Sequence, residues 1–401
     1  MPQFFTRERF GRPQFLAGAL LLAFLGQALW LIRCEMGVNN GPDAGEEIRV
    51  AAGWRQLHGG GIAGAPYPDA SGTLPPEVSE RDGYDTEHSP LLSVVSAAPL
   101  FFYAPWLPDS AARWLPRIPF LAVGMLLGAS LWYVARRLCG NHGGFIALTL
   151  YCFSPSMIQA GAVWHTEPEI LGAWGTFGAV FTAIAVAHTL YAPREVVLWN
   201  WRRIVLLGIA LAIAVGSQFS MIVVVPLALG FLFYLAPIRR GAALVIWVAA
   251  CVAGLALLFS AYFFHAHAFG EGMRHAAFWG ATGRSFVLPN VYWRVGLQVL
   301  RGCPALIFLL PAALVTYFAW PRARYFGATA PLLVAVLFMA LGMAHPHVAG
   351  AGFLLASIPF LLIFVAGAIA DLMETRFRPL VTACVWALLG AYILWSVVAL
   401  A

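Results

Sequence analysis

Eleven apolar runs, each close to the length a helix needs to cross hydrocarbon, recur along this 401-residue chain. They lie near residues 14–32, 118–135, 144–160, 170–190, 204–217, 221–236, 242–262, 299–319, 328–344, 351–370 and 380–400. No other feature constrains the fold as tightly. In lipid every backbone N–H and C=O must be paired within the protein, so such runs become helices packed into a bundle. The overall balance agrees, with 61% hydrophobic and only 10% charged residues. A soluble domain carries about 25% charged residues. The expected fold class is an all-α polytopic membrane protein of about eleven transmembrane helices, forming a single membrane domain over residues 1–401 without a separate soluble C-terminal domain.

The first 15 residues hold three Arg, and no A-x-A-like cleavage site ends the apolar run that follows. The first span is therefore expected to be retained. The six cysteines are scattered without metal-ligand spacing, so neither a disulfide framework nor a zinc site is indicated. All 24 basic residues are Arg, which points to a GC-rich bacterial genome. The formal charge of +6 does not indicate nucleic acid, because the Arg residues sit mostly at the ends of apolar runs.

A twelfth apolar stretch, 90–107, is settled by charge asymmetry. If it does not cross, one face collects Arg7, Arg9, Arg12, Arg136, Arg137, Arg194, Arg202, Arg203, Arg239, Arg240, Arg322, Arg324, Arg376 and Arg378 against few acids. That face, with the N-terminus, reads as cytoplasmic, and 90–107 lies in the opposite interface. Two long outer loops result, 33–117 and 263–298. IRVAAGWRQL in the first has helical character and is expected to lie along the membrane surface, before the irregular HGGGIAGAPYPDASGTLPPE. Long loops in compact folds are usually functional.

The outer face also collects the residues suited to chemistry. Asp43, Glu46 and Glu47 follow the first span in GPDAGEEIRV. They suit a functional site at the membrane edge or, equally by spacing, the acidic first turn of a surface helix. Glu167 and Glu169 flank Pro168 before the fourth span, where a helix N-terminus is the plain reading. Arg117, Arg284 and Arg294 could hold phosphate oxygens or contact lipid headgroups. His345 and His347 flank Pro346 at a late helix junction. The chain contains no GxSxG, P-loop, HExxH or dinucleotide fingerprint, and its spans are nearly free of ionisable groups. That pattern speaks against a proton-coupled path through the bilayer. A transporter or flippase of lipid-linked sugars remains the alternative, with Gly216, Ser217, Gln218 and Ser220 as its best mid-membrane polar group, although these also read as a short hairpin turn.

Taken in order, these segments resemble the GT-C superfamily of polyprenyl-phosphate-sugar-dependent glycosyltransferases, in the branch of protein O-mannosyltransferases and lipid A aminoarabinose transferases. The resemblance runs over roughly residues 14 to 370. It rests on PDAG after the first span; Gly64, Pro66, Tyr67 and Asp69 in GAPYPD; EHSPLLSVVSAAP, with Ser89 where Pro is common; Arg117, Ile118 and Pro119; and Ser154–Pro155 followed by an outer acid at Glu167 or Glu169. The resemblance implies an inverting enzyme at the outer face of the bacterial inner membrane. It would take a sugar from a polyprenyl-phosphate donor to a glycan, lipid or protein acceptor. In that scheme Asp43 is the base and Arg117 with Arg284 or Arg294 grips the phosphate. Glu167 or Glu169 positions substrate, one of Glu46 and Glu47 reaches the cleft, and His88, His345 and His347 line it. No cofactor is required by this scheme; a divalent metal at the clustered acids is the less favoured variant.

Overall fold

The computed structural model describes residues 12–38, 44–59, 87–103, 114–162, 169–191, 201–278, 287–344 and 351–400. Among them there is no strand, and these described residues form fifteen α-helices. In order these are α1 (Arg12–Val38), α2 (Ala44–Leu57), α3 (Pro90–Ala97), α4 (Ile118–Cys152), α5 (Pro155–Ala162), α6 (Glu169–Thr189), α7 (Trp201–Ser217) and α8 (Val224–Leu235). They continue with α9 (Arg240–Ala261), α10 (Ala266–His275), α11 (Pro289–Gly302), α12 (Leu306–Ala319), α13 (Phe326–Ala344), α14 (Ala351–Met373) and α15 (Arg378–Leu400).

Among the described residues, seven helices are long and apolar enough to cross a membrane, and an eighth span results if the bent pair α11–α12 counts as one. The difference from the expected eleven lies in three places. α7 has 17 residues, and α8 has 12 after a 3₁₀ turn over Phe219–Val223. The expected second and third spans are joined as α4, but Cys139 (φ −126°) and Gly140 (φ 72°) are not helical. The Tyr151 hydroxyl donates to the Gly124 carbonyl at 2.6 Å, which a straight helix 27 residues long could not allow. α4 is therefore a helical hairpin turning at Gly140, where a positive φ suits a residue without Cβ.

Residues 90–102 form an eight-residue helix and five 3₁₀ residues. At about 20 Å this element falls short of the roughly 30 Å hydrocarbon layer.

The chain divides into two compact units, one of Met1–Cys34, Gly124–Ala162 and Thr282–Ala401, the other of Glu35–Val123 and Val163–Ala281. In the first unit α14 is buried on every side, which explains its continuous apolar sequence. Phe338 of α13 stacks on its Phe360 at 6.4 Å.

The first unit also contains two helix breaks that satisfy each other. Pro155 interrupts the third expected span, and Gly302–Cys303–Pro304 turns α12 by 106° from α11. The expected span 299–319 is thereby corrected, since residues 299–302 belong to the bent-away α11. Proline lacks the N–H that would continue the ladder, so carbonyls near each break need other donors. Ser154 Oγ donates to Gly302 O at 2.5 Å and Ser156 Oγ at 3.1 Å. Gln27 Nε2 reaches Cys152 O at 3.1 Å, Ser396 Oγ reaches Phe153 O at 3.0 Å, and Tyr392 OH reaches Leu150 O at 3.4 Å. Broken helices are tolerated at membrane depth only when their freed backbone groups are paired in this way.

The second unit packs through small residues. A Cβ at Gly175 of α6 would stand 2.5 Å from Ala214 N, and one at Gly208 of α7 would stand 2.6 Å from Ala250 O of α9. Close backbone approach of this kind is what glycine permits between membrane helices.

Candidate functional site

The local sequence His88–Ser89–Pro90 starts α3, and it also completes a second helix. Ser89 caps α3, its Oγ accepting the Leu91 N–H at 3.2 Å, while Pro90 occupies the first turn. The same hydroxyl donates to Gly216 O at 2.8 Å, and the Ser89 N–H donates to that carbonyl at 3.1 Å. Gly216 ends α7, so Ser89 satisfies a carbonyl left over at a helix C-terminus. The Phe219 N–H donates to Glu87 O at 2.8 Å. Half-buried His88 is thus fixed between two backbone hydrogen bonds, beside the turn after α7. A side chain at Gly216 would meet Leu258, Leu91 and Ser89. Gln218 and Ser220 in this turn are buried, and Ser220 Oγ has no hydrogen-bond partner. Gly216, Ser217, Gln218 and Ser220 fall at the break between α7 and α8, which includes a 3₁₀ turn over Phe219–Val223.

Glu169 opens α6, half-buried, in the first turn, where the helix dipole favours a carboxylate. Gly172, one turn further on, faces Ser217, whose Cβ would be 3.7 Å from a Cβ at Gly172. His88 and Glu169 therefore sit at the same end of the α6–α7 pair.

Arg117 ends a 3₁₀ turn over Leu115–Arg117 that feeds α4, between Pro116 and Pro119. It is only 2% exposed, in the turn that packs against α3. A guanidinium held inside the fold costs several kcal/mol unless its partners compensate it, and Arg117 has a partner in the fold.

α2 lies on α3, where a Cβ at Gly53 would overlap the Ser93 carbonyl. Its inner face carries Arg49, Ala52, Gly53 and Gln56 at helical spacing, and Arg49 Nε and Gln56 Oε1 are buried without hydrogen-bond partners. Trp54, His58 and Phe101 form an aromatic cluster, with Trp54 and His58 rings 4.1 Å apart and Phe101 within 5.5 Å of both. Glu46 and Glu47 fall on the backbone of α2, but their side chains are outside the described set. Asp43, Glu167, Arg284, His345 and His347 lie outside the described residues altogether. Arg294 is exposed on α11, in the first unit, whereas Arg117, His88 and Glu169 belong to the second. Among the described residues no three His, Cys, Asp or Glu side chains group as metal ligands.

In sequence Ser89 stands only as a departure from the Pro common at that position. The signal for its role was available, because Ser-Pro before an apolar run is a helix-start signature. Its bond to Gly216, 127 residues away, had no local signal.

No family model matches the chain, and no curated protein matches it. Solved structures do. An ArnT structure from Cupriavidus metallidurans in the apo state is 14% identical, with a TM-score of 0.58, covering 91% of this chain and 61% of that one. The archaeal oligosaccharyltransferase AglB from Archaeoglobus fulgidus, in complex with an inhibitory peptide and a dolichol-phosphate, is 11% identical. Its TM-score is 0.56, over 96% of this chain and 55% of that one. A structure of the same archaeal enzyme tethered to an acceptor peptide gives a TM-score of 0.58 at 11% identity. The chain thus spans less than two thirds of the length of each of these proteins. Its fold is the one these structures share.

Proposed function

We propose that this protein is an inverting membrane glycosyltransferase that moves a sugar from a polyprenyl-phosphate donor to a hydroxyl of a glycan, lipid or protein acceptor. The observation that carries the reading is the buried Arg117 beside α3, in a fold whose solved examples include a transferase bound to dolichol-phosphate. The asymmetry of Arg residues along the chain supports an active face on the outer side of a bacterial inner membrane, with the N-terminus cytoplasmic.

The chemistry follows from the leaving group. A lipid phosphate is stable as an anion and needs little acid assistance, but it does need positive charge as the glycosidic bond lengthens. Arg117 supplies that charge. The acceptor hydroxyl is a weak nucleophile, and a carboxylate base within hydrogen-bond reach contributes about 10²–10⁴-fold. Asp43 is that base, Glu46 or Glu47 reaches the same cleft, and displacement in line inverts the anomeric carbon. His88, with Glu167 or Glu169, orients substrate hydroxyls. Purified protein in proteoliposomes, given radiolabelled polyprenyl-phosphate sugars and envelope-derived acceptors, should move label into the acceptor. Label that only crosses the bilayer, still on its lipid, would favour the flippase instead.

A further inference from the structure

α11 is built differently from every apolar helix around it. Winding at about 100° per residue sorts its side chains into three sectors. Val291, Val295, Val299 and Gly302 fall within about 80° of one another and are buried. Val291 and Val295 pack with Leu354, Met339 and Met343. The next sector carries Tyr292 (49% exposed), Gly296, Leu300 and Trp293 (71% exposed). The third carries Asn290, Arg294 and Arg301, with the two Arg about 10.5 Å apart along the axis and both exposed. Neither Arg is in an ion pair among the described residues. Val287 and Leu288, just before the helix, are 82% and 51% exposed.

The 106° bend to α12 fixes what this pattern can meet. If α12 follows the membrane normal, α11 lies within about 20° of the membrane plane. We propose that α11 is an in-plane helix docked on the headgroup layer of the bilayer, and that Arg294 and Arg301 hold phosphates of anionic phospholipids. Tyr292, Trp293 and Leu300 enter the acyl boundary beneath them. Three features argue for a lipid surface as the occupant. Aromatic and cationic side chains sit on adjacent outward sectors, which a helix half-sunk in an interface requires. Trp and Tyr favour the headgroup level. The paired guanidinium groups match phosphate in charge and hydrogen-bond geometry. The serine clasp on Gly302 O holds the bend that puts all three in register with the bilayer.

The test needs no sugar donor, so its result is independent of the transferase reading. The full chain is placed in nanodiscs of phosphatidylglycerol and phosphatidylcholine, with a benzophenone amino acid replacing Trp293. Irradiation should give phospholipid adducts, detectable by mass spectrometry. In parallel, Arg301→Gln should retain about fivefold less phosphatidylglycerol after detergent extraction than the unchanged protein, with phosphatidylcholine unaffected. Both positions are exposed, so neither change disturbs the valine face. Photo-adducts confined to protein, or equal retention of phosphatidylglycerol by both proteins, would overturn the proposal.

Discussion

Ser89 and Gly216 are joined by two hydrogen bonds to one carbonyl oxygen, from the Ser89 hydroxyl at 2.8 Å and from its amide at 3.1 Å. One residue thereby starts α3, ends α7 and fixes His88 next to the turn. Replacing the hydroxyl removes a helix cap and a buried hydrogen bond together. Ser89→Ala should destabilise the protein by about 1–3 kcal/mol. Thermal unfolding in detergent checks this, and Ser89→Thr should recover most of the loss. An unchanged midpoint for Ser89→Ala would show that the clasp contributes nothing.

The contact of α2 with α3 depends on the missing side chain at Gly53, because a Cβ there would overlap the Ser93 carbonyl. Gly53→Ala should push the two helices apart at a cost of about 1–3 kcal/mol. The same substitution at Gly26, where nothing lies within 4 Å of the added carbon, should be tolerated. Comparing the two unfolding midpoints checks the prediction without reference to any substrate.

Arg117 is where burial and proposed chemistry meet. Arg117→Gln should lower transfer by about 10²-fold or more if the guanidinium stabilises the departing phosphate. Arg117→Lys keeps the charge and loses the forked geometry, so it should fall between the two. Initial rates at saturating donor check both. Wild-type rates from folded Arg117→Gln would remove Arg117 from the mechanism.

The long helices were legible because unbroken apolar runs have one stable form in lipid. α14 is the clearest instance, apolar throughout and buried throughout. The hairpin in α4 was also legible, since Arg136, Arg137, Gly140 and Asn141 interrupt the apolar pattern where the chain turns. The 106° bend at Gly302–Pro304 is not legible, since the run 299–319 has the hydropathy of one straight span. Hydropathy alone does not register direction, and the donors that stabilise this bend come from Ser154 and Ser156, about 150 residues earlier. The site was partly legible for a related reason. Residue type and order marked His88, Arg117 and Glu169 as candidates. That Arg117 is buried, and that His88 and Glu169 share one end of the α6–α7 pair, follows from tertiary packing.

Sugar transfer with Asp43 as the proposed base is open to one direct comparison. Unchanged protein and Asp43→Asn, matched for unfolding temperature, are incubated with a radiolabelled polyprenyl-phosphate sugar and envelope acceptor, and labelled product is counted. Product is expected from the unchanged protein, with a loss of at least about 10²-fold in the variant. Equal turnover by the two proteins, or no product from the unchanged protein with any polyprenyl-phosphate sugar, would contradict it.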